Sequence, residues 1–346
     1  MAVLISPEDI YPGISILCEE IFLVSVSDSV STKIQALRGL AIIAVVFIHC
    51  TPGGLAQVIY RPFLNIGVGL FLFFSGMLSD AKKWNPKKRL IKILIPYAIW
   101  TLVYTVNLSD KTPDRIISDY FRHLILGVSS AVMYYVFVYC ELTLLIPIID
   151  KIARSKFKYL GFIISPLDII FFRLLPMIYG IQINKTIGII SGLSCLGWFT
   201  YFYLGYLLGN NYISVNSKTR MLTVCWVISL LIQIGEGYLY YLMGNTNCGS
   251  QLKLSSVLSG SLFCILCFKY IKSGCPDPSR LFVVLGDSSF GIFFSHLLIK
   301  KDLSLISGYT DYVFYPINAI VLIMVSYAVV STGHKILGRF AKYIAF

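Results

Sequence analysis

The sequence predicts an all-α protein: a polytopic bundle of about ten transmembrane helices with both termini in the cytoplasm. Composition, a regular series of apolar windows and the alternation of basic residues between them carry this prediction. Of 346 residues, 57% are hydrophobic and only 13% charged, against about half and a quarter in soluble globular chains. Mean hydropathy is +0.77. The 23 Tyr, 23 Phe and 4 Trp suit the aromatic belts at the two membrane surfaces.

A helix needs about 20 apolar residues to cross a bilayer. Such windows occur at 34–54, 62–80, 90–108, 128–149, 158–182, 193–210, 220–242, 252–271, 281–299 and 312–333. The fifth is interrupted by Pro166, Asp168, Arg173 and Pro176, which reads either as a broken helix lining a cavity or as a misplaced boundary. Residues 1–32 read as an acidic cytoplasmic tail, with Glu8, Asp9, Glu19, Glu20 and Asp28 and no basic residue before Lys33, so they lack the basic start of a secretory signal. Residues 33–346 form the membrane domain. The longest external loop, about 108–127, contains PDRIISDYFRHLILG, an amphipathic run suited to the interface.

With the N-terminus inside, twenty Lys and Arg fall on the cytoplasmic side, led by the run from Lys82 to Lys92, and eight on the other. Arg173 alone remains within a span. That asymmetry is the positive-inside pattern and accounts for the net charge of +12 without a nucleic-acid partner. Cys264 and Cys267 form a CxxC inside a span, with no second pair to complete a metal site, and read as packing residues. No metal ligand set and no permanently bound cofactor is expected.

Ionisable groups inside a membrane are costly unless they meet a partner or a wet cavity, so each is a functional candidate. In the first span, ALRGLAIIAVVFIHC, Arg38 and His49 are eleven residues apart. Eleven steps of 100° return to the same helix face within about 20°, roughly 16 Å further along. A guanidinium suits phosphate or carboxylate, and an imidazole can take and return a proton near neutral pH. His296 in the ninth span reads either as a second site histidine or as a buried, hydrogen-bonded one. Ser75 and Gly76 offer a hydroxyl or a close helix approach. Asp168 and Arg173 read as a structural pair across a distorted turn. Glu236 reads as facing the headgroups, and neither it nor Glu141 receives a role.

The segment RGLAIIAVVFIH resembles the Arg-x10-His motif of the acyltransferase 3 family, membrane O-acyltransferases of cell-surface glycans. The likeness continues through NIGVGLFLFFSGMLSD (65–80), KKRLIKILIPYAIW (87–100), YYVFVYCELTLLIPIID (134–150), YFYLGYLLG (201–209) and SSFGIFFSHLLI (288–299). Gly69 and Tyr135 depart from it, standing where an acidic or polar residue and a Trp are commoner. The resemblance implies transfer of an acyl group, usually acetyl from acetyl-CoA as co-substrate, onto a sugar hydroxyl in a bacterial cytoplasmic membrane. His49 would be the base and Arg38 would orient the donor. Arg89, with Ser75 and His296, would contribute to donor or substrate binding. The implied partners are the bilayer, acyl-CoA and a glycan or glycolipid acceptor. A transporter or flippase of lipid-linked glycans is the alternative; no internal repeat of the transporter kind is seen. A glycan polymerase would bring a large external loop that this chain lacks.

Overall fold

The computed structural model describes residues 28–108, 112–181, 184–309 and 313–346, and these form an all-α bundle. The acidic stretch before Asp28 lies outside the described residues. Among them, eight helices are long and apolar enough to span a membrane, or nine when a pair bent by 76° is counted as one. The chain is an integral, multi-pass membrane protein.

The helices follow the apolar windows in order. They are α1 (Asp28–Cys50), α2 (Leu55–Leu64) continued by α3 (Ile66–Met77), α4 (Pro86–Leu108) and the peripheral α5 (Pro113–Leu126). The fourth window holds two short helices, α6 (Tyr134–Leu144) and α7 (Ile146–Arg154), and α6 alone is too short to span. The fifth is one helix over Lys158–Ile178 whose winding changes along its length: a 3₁₀ stretch over Lys158–Ile163, α8 (Ile164–Ile169), a π-helical turn over Ile170–Leu174 and α9 (Leu175–Ile178). Then come α10 (Lys185–Leu193), α11 (Phe199–Gly209), α12 (Thr219–Leu242), α13 (Leu254–Lys272), the bent pair α14 (Arg280–Asp287) and α15 (Ser289–Ser304), and α16 (Ile317–Leu337).

Helix α1 is at the centre. Of its apolar window, 72% is buried, against 22–39% for α4, the fifth-window helix, α12 and the segment containing α16. It begins six residues before the expected window, so Arg38 lies roughly 15 Å inside it rather than at its mouth.

Lipid is as apolar as leucine, so close backbone approach has to hold the helices together. Two reciprocal glycine contacts provide it. A β-carbon on Gly39 would run into the Phe282 carbonyl, and one on Gly286 into that of Gln35, which locks α14 onto α1. Gly76 faces the Phe202 carbonyl and Gly205 the Phe73 carbonyl, locking α3 onto α11. Gly69, one of the two departures noted in sequence, has the Tyr201 ring packed against it, within 2.8 Å of where a β-carbon would sit. Cys264 and Cys267 are buried packing residues, and among the described residues no group of His, Cys, Asp or Glu is placed to hold a metal ion.

Two predictions follow from this packing. Gly39→Ala and Gly205→Ala should each destabilise the detergent-solubilised protein by roughly 1–3 kcal/mol. Gly188→Ala, in a helix and with nothing within 4 Å of its new methyl, should not lower the melting temperature. At the Arg38 end of the bundle, burial pushes the Asp150 carboxyl up. Hydrogen bonds from Arg154 (2.7 Å), Tyr206 (2.8 Å) and Tyr212 (2.8 Å) outweigh it and hold the group below its ordinary value. A depressed carboxylate stabilises the fold above its unfolded value, about pH 4, and loses that contribution as pH falls through the folded value. The stability gap between wild type and Asp150→Asn should therefore close on acidification below about pH 4, measured by thermal unfolding.

Candidate active site

The site is built where α15 passes α1. Arg38 Nη2 donates to the Ser289 hydroxyl at 3.0 Å, and Nη1 donates to Gln35 Oε1 at 2.9 Å. Asp287, the last residue of α14, is a further electrostatic neighbour of Arg38. Ser289 is fully buried at the first turn of α15, just past the bend. Two turns on, seven residues return to the same face within about 20°. His296 there lies against His49, with ring centroids 5.3 Å apart. The Lys300 ammonium, one turn further, donates to the His49 carbonyl in the last turn of α1. The two helices thus run in the same direction, with Arg38 opposite Ser289 and His49 opposite His296.

His296 is fully buried, and its Nδ1 lies 2.9 Å from the Ile292 carbonyl. A carbonyl only accepts, so Nδ1 carries the proton. In the neutral ring Nε2 is then a bare lone pair, and it has no hydrogen-bond partner among the described residues. Of the two sequence readings of His296, the structure contains features of both: a buried, hydrogen-bonded ring, turned toward His49.

The Tyr104 hydroxyl steadies this turn of α15. It donates to the Phe294 carbonyl at 2.8 Å and accepts from the Leu298 N–H at 3.1 Å. Those two groups are an i, i+4 pair of the helix itself, so α4 inserts a hydroxyl into the ladder beside His296.

Arg89, Ser75 and Arg38 gather at the other end of the His pair, around two tyrosines of α6. Tyr135 neighbours Arg38 and the Ser75 hydroxyl, Tyr139 neighbours Arg89, and the two rings are 6.3 Å apart. Arg89 Nη1 donates to Ser79 at 2.7 Å, and the Ser79 hydroxyl donates to the Ser75 carbonyl at 2.6 Å. Tyr135, the second departure from the family pattern, also packs on Phe293 at 5.1 Å. The five residues singled out in sequence therefore fall into two groups, Arg38, Ser75 and Arg89 in one and His49 with His296 in the other, joined by α1 and α15.

This arrangement lies within a single family match. The model described as an acyltransferase domain, that of the acyltransferase 3 family, matches residues 32–333. The chain belongs to the acyltransferase 3 family. It is an acyltransferase. No curated protein and no solved structure matches it.

Sequence reasoning missed three residues of this acyltransferase. Ser289 was legible in principle, because its seven-residue step to His296 obeys the rule that joins Arg38 to His49. Tyr104 and Asp287 were not, because their partners lie on other helices. Glu236 is corrected: it turns into the bundle, accepting from Tyr240 at 3.0 Å and from the backbone and hydroxyl of Ser255. Asp168 and Arg173 are electrostatic neighbours, but Asp168 Oδ1 and Arg173 Nε have no hydrogen-bond partner.

Tyr104→Phe removes both bonds to α15 and leaves the ring. It should cost roughly 1–3 kcal/mol of stability, read by thermal unfolding, and lower activity by more than the unfolded fraction accounts for. Loss of activity in step with the folded fraction would reduce Tyr104 to a packing residue.

Proposed function

We propose that this acyltransferase moves an acetyl group from acetyl-CoA to a hydroxyl of a cell-surface glycan or its lipid-linked precursor, in a bacterial cytoplasmic membrane. The observation that carries this reading is the His49–His296 pair set against a separate basic group of Arg38 and Arg89. Acyl transfer from a thioester needs a proton acceptor for the attacking hydroxyl and a cationic place for an anionic donor.

In the proposed step, His49 takes the hydroxyl proton as the oxygen attacks the thioester carbonyl. The new C–O bond forms, the C–S bond breaks, and the proton returns to the departing coenzyme A thiolate. In this reading His296, whose Nε2 is free to accept, would take part in the proton's passage to and from His49. Arg38, Arg89 and the neighbouring lysines of 82–92 would meet the phosphates of coenzyme A. The twenty-to-eight charge asymmetry supports placing that end in the cytoplasm, where the donor is made.

The test is incubation of membranes carrying wild type, His49→Ala or Arg38→Lys with labelled acetyl-CoA and the host's surface glycan. Alkali-labile label should appear on the glycan with wild type and fall at least about 100-fold with His49→Ala. Arg38→Lys keeps the charge but loses the planar fork, so it should raise the KM for acetyl-CoA several-fold. Equal acylation by His49→Ala would dismiss the histidine base. Glycan translocation without acylation by wild type would dismiss the reaction.

A further inference from the structure

A second polar group lies elsewhere in the bundle, unused by the step above. Tyr134, next in sequence to Tyr135, stacks on Trp198 at 5.9 Å with planes 22° apart. Trp198 is 2% exposed, and its indole N–H has no partner. Asp168 is 7% exposed, and Oδ1 has no partner. The other oxygen, Oδ2, would be 2.9 Å from a β-carbon at position 197, which is glycine. Arg173, in the π-helical turn, neighbours Asp168, Tyr134 and Tyr240, and its Nε is unpartnered. The buried Thr200 hydroxyl is a further group without a partner.

Buried polar atoms in native proteins are nearly always satisfied, and leaving one bare costs about 1–3 kcal/mol. Here an acceptor, two donors and a hydroxyl are bare in one neighbourhood. π-helical turns of this kind concentrate at functional sites. Packing places the group at the His49 end of the bundle. Tyr240 clusters with Val58 and Cys248, and Arg61 on the same helix as Val58 reaches Thr51, two residues past His49.

The chemistry of the bare groups selects the ligand. A phosphate would be repelled by Asp168, and an amine by Arg173. A sugar hydroxyl both donates and accepts, which matches Asp168 on one side and Trp198 with Arg173 on the other. The aromatic pair supplies the flat apolar wall that sugar-ring C–H groups prefer. We infer that Asp168, Trp198 and Arg173 are the hydrogen-bonding wall of a sugar-binding subsite that holds the acceptor toward the His49 end of the bundle. This rests on the acetyl-transfer reading for its purpose, but its ligand chemistry stands on the bare groups alone.

The experiment separates the two. Oligosaccharides released from the host's own surface glycan are tritiated, and their binding to purified wild type, Asp168→Asn and Trp198→Phe is measured by equilibrium dialysis, with acetyl transfer measured in parallel. The phenylalanine keeps the stack and deletes the N–H; the asparagine keeps the shape and deletes the charge. Each variant should bind the oligosaccharide roughly 3- to 10-fold more weakly, with the KM for acetyl-CoA unchanged. Wild-type binding retained by both variants, or no binding by wild type, overturns the subsite and leaves the bare groups to water. Binding that weakens in the variants while wild type transfers no acetyl group keeps the subsite and removes the acetyl-transfer reading. If Asp168→Asn fails to fold, Trp198→Phe decides alone.

Discussion

The structure turns on how Arg38 is satisfied. A guanidinium roughly 15 Å inside the most enclosed helix costs several kcal/mol unless polar atoms meet it. Gln35 on its own helix meets one nitrogen, but the second needs Ser289, 251 positions away. Ser289 reaches it because the ninth span breaks by 76° between Asp287 and Ser289. The break can lie against α1 because Gly39 and Gly286 remove the side chains that would hold α14 off. Glycine contact, helix break and a half-buried guanidinium are thus one device. Its consequence is that α15 leaves the break parallel to α1 and carries His296 to His49.

The same need for polar satisfaction recurs wherever the bundle admits a charge. Lys253 was counted in sequence with the external loops, yet it is fully enclosed. Its ammonium donates to the carbonyls of Gln233 (3.2 Å) and Cys248 (3.0 Å) and lies 5.9 Å from the centre of the Tyr240 ring. Gln233 is held in turn by Ser256 and Ser259 at 2.8 and 2.7 Å. Chains of this kind make buried charge tolerable by giving each donor an acceptor. Bare buried atoms also occur singly elsewhere, at Thr101, Trp226 and Ser326 for example; the group around Asp168 differs in gathering an acceptor, donors and a hydroxyl in one neighbourhood.

Much of the fold was legible because the bilayer imposes a length on apolar runs. All ten windows meet helices, and the fifth, with its prolines and charges, stays one helix but takes up a π-helical turn. The fourth window proved shorter because hydropathy sums over Leu145, where α6 gives way to α7. For the site, helical periodicity relates residues on one face of one helix, so it joined Arg38 to His49. It is silent about which other helix that face meets. The Tyr104 insertion, the Ser289 bond and the inward turn of Glu236 are all contacts between distant segments. Spacing did bring Asp168 and Arg173 together as electrostatic neighbours, but it is silent about Oδ1 and Nε, which have no hydrogen-bond partner.

Two chemically different ends emerge from one central helix. The Arg38 end gathers cations and phenols, a setting for an anionic donor with phosphates. The His49 end gathers a carboxylate, an indole and a guanidinium with bare hydrogen-bonding atoms, a setting for a hydroxylated acceptor. Under the proposed function the two substrates approach along opposite halves of α1, with Tyr135 neighbouring the Arg38 group and Tyr134 neighbouring Arg173 and Trp198. The eleven-residue step from Arg38 to His49, roughly 16 Å, is then a working distance: long enough to hold a donor's anionic part at one end while its thioester lies beside the base at the other.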